Sequence, residues 1–101
     1  MLKRYMIERN LPGIGTKNDQ ELGAAAQVSN GVLAQLAGVQ WQHSYVAGDK
    51  TFCVYLAANE EVVRVHAKMS GFPADNVTEI CGIIDPTTER HCHEAKAAIA
   101  A

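Results

Sequence analysis

The chain holds four histidines, and the carboxylates and thiols around them are the other groups best suited to chemistry. His43 stands in Trp41-Gln42-His43-Ser44-Tyr45-Val46 and His66 in Val65-His66-Ala67-Lys68-Met69, each inside an apolar, regular stretch. An imidazole in such surroundings is hydrogen-bonded, bound to a ligand, or both, because burying it unpaired is costly. Late divalent transition metals favour imidazole, with carboxylate, thiolate or water completing the shell. His43 is therefore a candidate metal ligand, its alternative being an imidazole satisfied by a neighbouring carboxylate or backbone group. His66 is a second candidate, its alternative being a hydrogen-bonded histidine at the edge of the core. Glu8 and Glu79 add carboxylates that could ligate a metal, do acid–base work, or stand solvated beside Arg4 or Arg9. The densest ligand-type cluster is Arg90-His91-Cys92-His93-Glu94, in which His91 and His93 could capture a soft or borderline ion, or simply belong to an inert tail. Cys53 and Cys81 fall in strand-like stretches, where cysteine usually acts as a small hydrophobe. Gly13-Ile14-Gly15 lacks the third glycine of a phosphate loop.

The elements that must hold these residues follow from periodicity. Residues 2–9 alternate as a first strand, with Leu2, Arg4, Met6 and Glu8 on one side and Lys3, Tyr5, Ile7 and Arg9 on the other. Leu11 to Gly15 forms a turn and loop. Asn18 is placed as an N-cap with Glu21 closing a capping box, and a helix is predicted over 18–37, stopped by Gly38. Val39–Ala47 and Lys50–Leu56 read as strands joined by Gly48-Asp49, a pair suited to a type II′ turn. That turn sets His43 opposite Val54 and Tyr45 opposite Phe52, so Trp41, His43, Tyr45, Phe52 and Val54 are expected together on one face. Val46, Cys53 and Tyr55 fall on the reverse, which makes both faces largely apolar. Asn59 caps a second helix that stops at Gly71, with Val62, Val65, His66 and Met69 in one arc and His66 at its edge. Asp75 to Ile84 reads as a last strand, and residues 89–101 as an alanine-rich tail beyond a domain at 1–88.

Strand, helix, strand, strand, helix, strand is the order of an α+β ferredoxin-like sandwich: a four-stranded antiparallel sheet with two helices on one face. Its first and fourth strands are neighbours, so Glu8 and Glu79 are expected close together on the open face, near His43. His66 belongs to a helix on the other side, so one metal is not expected to bridge His43 and His66 within a subunit.

With 101 residues the chain fits one domain, and 48% hydrophobic and 20% charged residues match an ordinary soluble protein. A net charge of −2 without a basic cluster argues against nucleic acid. Neither a membrane span nor a signal-peptide core is expected, and three irregularly spaced cysteines suggest reduced thiols in a cytoplasm.

Several segments in this order resemble a small bacterial family. They are Lys3-Arg4-Tyr5-Met6-Ile7-Glu8-Arg9-Asn10-Leu11-Pro12-Gly13, Trp41 with His43-Ser44-Tyr45-Val46, Asp49 to Tyr55, His66-Ala67, Gly71-Phe72-Pro73-Ala74-Asp75 and Ile84-Asp85-Pro86-Thr87. The family is the nickel-binding domain first catalogued as a domain of unknown function and typified by a Streptomyces nickel-responsive protein. The resemblance, over residues 3–88, implies a ferredoxin-like homodimer that binds a nickel ion without an established reaction, with His43 and His66 matching by position. The expected function is thus divalent-metal binding in sequestration, sensing or delivery, by a homodimer joined through the open sheet face. Two alternatives remain: a dimeric ferredoxin-like enzyme, such as a cofactor-free monooxygenase or isomerase, using His43, Tyr45 and Glu79 around a small organic substrate, and an accessory domain that only binds a partner.

Overall fold

The structure, a computed structural model, describes residues 1–92. Its elements are β1 (Lys3–Asn10), α1 (Asp19–Leu33), β2 (Val39–Ala47), β3 (Lys50–Ala57), α2 (Glu60–Ser70) and β4 (Asn76–Glu79), with short 3-10 turns at Ile14–Thr16 and Pro86–Thr88. The strands form one sheet in the order β2-β3-β1-β4, every pair antiparallel. This is the expected α+β ferredoxin-like arrangement. Both helices lie on one face, where Tyr5, Ile7, Val39, Tyr55, Ala57 and Val63 make the buried core. The other face carries Arg4, Met6 and Glu8 from β1 and their partners Leu56, Val54 and Phe52 from β3.

Local chemistry explains the helix boundaries. Asn18 Oδ1 accepts from Glu21 N at 2.8 Å, and Glu21 Oε1 accepts from Asn18 N at 3.2 Å, completing the capping box. α1 ends at Leu33, short of the expected residue 37, because the chain tightens into bonds from Gln35 N to Val32 O and Leu36 N to Leu33 O. Asn59 Oδ1 caps α2 through Val62 N at 3.0 Å, and Gly71 ends it with φ 77°. The stripe of α2 is rotated from expectation. Val63, His66 and Ala67 are buried, whereas Val65 and Met69 are exposed, so His66 stands in the core rather than at its edge.

Two strands differ from the sequence reading in ways that move side chains between faces. In β2 the register holds from His43 onward, but Trp41 pairs with Tyr55, leaving Gln42 as an extra residue in a β-bulge. A bulge of one residue reverses the alternation before it. Trp41 therefore joins the core face with Tyr55 instead of lying beside His43, and its Nε1–H donates to Ser44 Oγ at 2.9 Å. In β4, Val77 pairs with Ile7 and Glu79 with Tyr5. Cross-strand partners share a face, so Glu79 belongs to the helix side and Glu8 to the open side. The expected pair of neighbouring carboxylates does not form. β4 is also shorter than expected. It ends at Glu79, opposite Tyr5, and one further bond runs from Ile80 N to Arg4 O at 2.8 Å. Cys81, expected inside a strand, is consequently exposed.

Candidate functional site

On the open face, His43 is exposed, and its ring meets that of Tyr45 edge to face, with centroids 5.2 Å apart and planes at 83°. No hydrogen bond holds the imidazole among the described residues. It borders a shallow groove floored by Met6 and Val54 and walled by Gln42, Tyr45, Ile80 and Ile83. Glu8 lies on the same face but is already engaged. Lys50 Nζ donates to its Oε1 at 2.6 Å and Asn76 Nδ2 to its Oε2 at 3.2 Å. The Lys50 hydrogen bond, then that of Asn76, then the ammonium charge hold this carboxyl below the usual glutamate range.

His66 is fully buried on the other side of the sheet. Its Nε2 lies 3.2 Å from Ser29 Oγ of α1, and its ring centroid is 5.3 Å from that of Tyr55. Nδ1 has no partner. Burial first, and the Arg9 charge second, push its pKa down, so the neutral imidazole is favoured. Glu79 makes a surface ion pair with Lys3 at 3.7 Å. His91 is exposed in the helical turn after Thr88, and His93 lies outside the described residues. The candidate ligands are thus dispersed. Among the described residues no three or more His, Cys, Asp or Glu side chains are grouped to hold a metal ion. His43, Tyr45 and Glu79, the set required for an acid–base enzyme, do not surround one pocket either: the first two face outward, and Glu79 shares the opposite face with Tyr5.

A polar cluster lies under α1, of which the sequence reading singles out His66 alone. Arg9 is 2% exposed, Tyr55 is buried beside it, and Ser29 and His66 complete the cluster. Burial, the largest influence, pushes the Tyr55 phenol up. The signal for Arg9 was present in β1, where alternation puts this charged residue, like Lys3 at the other end of the strand, in register with Tyr5 and Ile7.

Among the described residues no helix is long and apolar enough to cross a membrane. Comparison with known proteins agrees with the architecture. The structure is similar to the crystal structure of SCO4226 from Streptomyces coelicolor A3(2), with a TM-score of 0.67 and 19% sequence identity, over 80% of this chain and 99% of that one. No curated protein sequence matches. The sequence pattern of the nickel-responsive SCO4226-like proteins matches residues 5–80, from β1 to the end of β4. The chain is accordingly a member of the SCO4226-like nickel-responsive protein family.

Proposed function

We propose that this protein binds a divalent transition metal, nickel first, in sequestration, sensing or delivery rather than in catalysis. The observation that carries the proposal is His43, an exposed imidazole without a hydrogen bond among the described residues, on the open face of a nickel-responsive family member. Imidazole is a donor suited to nickel. The described donors of one protomer do not amount to a metal site, so the proposed site is shared. Two copies meeting through their open faces bring two His43 rings to one interface, where water or carboxylate completes the shell. His66 has no part in this, since its ring is enclosed beneath the helices.

The test is a Ni²⁺ titration by calorimetry, with metal counted on the dialysed protein, for wild type, His43→Ala and a chain truncated before Arg90. Loss of His43 is expected to weaken binding at least about tenfold, the effect of removing one good ligand-type interaction. Undiminished binding in His43→Ala removes the residue from the site. Loss on truncation alone assigns the metal to the His91–His93 stretch.

A further inference from the structure

Beneath α1 lies a cavity of about 290 Å³ that the metal proposal does not use. We propose that it binds a small organic carboxylate with an apolar body, the carboxylate resting on Arg9.

The cavity has a local cause. α1 turns Leu22, Ala25, Ala26 and Ser29 toward it, at spacings of three and four that place them on one helical face. Alanines stand where a packed helix usually inserts leucine, so the space between helix and sheet is left unfilled. The remaining wall is formed mainly by Leu11, Ile14, Trp41, Val46 and Phe72. A volume near the lower end of ligand pockets, roughly 300 Å³, suits one ring or a chain of about eight carbons.

The chemistry of the ligand's head follows from Arg9. Its Nε and Nη1 have no partner, and Nη2 makes only a long 3.5 Å contact to the Tyr55 hydroxyl. The guanidinium carbon lies 6.0 Å from the Tyr55 ring centroid and 5.6 Å from that of Phe72. No carboxylate pairs with it among the described residues. Aromatic faces offset part of the cost of burying a cation, but a lone buried charge without an anion is expensive, and guanidiniums do not shed their proton to avoid it. A carboxylate accepts from a guanidinium through two parallel bonds. Ser29 and Thr51 also line the cavity. A metal cation is repelled by Arg9, and a polyol finds apolar walls with few groups to bind.

Trp41 is the single tryptophan and lines the cavity, so its emission reports occupancy. The full chain, held in chelator so that the outcome is independent of metal, is titrated with octanoate, benzoate and 1-octanol, with calorimetry on the same samples. Saturable binding of octanoate or benzoate is expected, with octanol at least about tenfold weaker because it lacks the charge-assisted bonds. The preferred carboxylate distinguishes a chain from a ring. Arg9→Gln is expected to weaken carboxylate binding at least about tenfold and to leave octanol unchanged. Ala25→Leu, which fills the cavity without touching Arg9, is expected to abolish binding of all three while circular dichroism stays native, and it keeps the test decisive if Arg9→Gln fails to fold. Equal affinity for octanoate and octanol, unchanged carboxylate affinity in folded Arg9→Gln, or no saturable binding by wild type overturns the proposal.

Discussion

His66 converts a buried ring into a pH-dependent contribution to stability. It is faced by Ser29 from α1, Tyr55 from β3 and the Arg9 cation from β1. Burial and then Arg9 lower its pKa in the folded protein below the ordinary value of 6.5, against a smaller opposing effect of Ser29. The unfolded chain therefore takes up a proton first as pH falls, and unfolding is favoured wherever the unfolded state binds more protons. The His66 contribution is complete above about pH 6.5 and declines from there down through the lower folded-state value. Urea titrations at about pH 7.5 and about pH 5.5 are expected to show a larger loss of stability in wild type than in His66→Gln. Equal losses would remove His66 as the cause. Sequence periodicity found His66 but placed it one step off, because Val65 and Met69 outweigh the small Ala67 that shares its buried stripe. Arg9 was legible only as an anomaly in alternation. That it lacks an anion depends on where α1 and Phe72 end up, which is long-range information.

At the scale of elements, caps and turns were the most legible features, since each depends on a few adjacent residues. The Asn18 capping box, the Asn59 cap and the positive φ of Gly48 and Gly71 all stand where local chemistry predicts, whereas Gly38, expected to stop α1, has positive φ in the loop beyond its end at Leu33. Gly48 alone has positive φ in its turn, as a type II′ hairpin requires. The bulge at Gln42 carried no glycine or proline to announce it, and β4 stopped at Glu79 although the alternation of residues ran on to Ile84. The loop after β1 has a clear energetic consequence. Gly15 N donates to Gly48 O at 2.8 Å, and a Cβ at Gly15 would stand 2.5 Å from that oxygen. Gly15→Ala is expected to lower stability by about 1–3 kcal/mol by forcing the loop off the hairpin. Gly23, exposed within α1, has nothing within 4 Å of its would-be Cβ, so Gly23→Ala is expected to raise stability by about 0.5–1 kcal/mol. Thermal and urea denaturation of the two variants should therefore move in opposite directions, and a shared direction would refute this account of the loop.

For the whole molecule, strand order and helix placement followed from the element order, whereas the distribution of ligands over the two faces did not. A register or bulge difference of one residue exchanges faces, and it separated Glu79 from Glu8 and Trp41 from His43. The open face retains an apolar character, with Tyr45 59% exposed and Ile83 70% exposed around the groove. Under the proposed face-to-face dimer, Tyr45→Arg sets two like charges near one interface and is expected to shift sedimentation toward the monomer at least about tenfold in concentration dependence. A dimer unaffected by Tyr45→Arg would locate the contact elsewhere. The bulge at Gln42 also bears on how copies cannot meet. β2 is an outer strand of the sheet, whose free backbone groups are a ready template for another chain. An extra residue in its middle breaks the even spacing of those groups, so an incoming strand meets no continuous ladder along Val39–Ala47. The irregularity that sends Trp41 inward thus also guards this flank of the sheet against fibre-like growth.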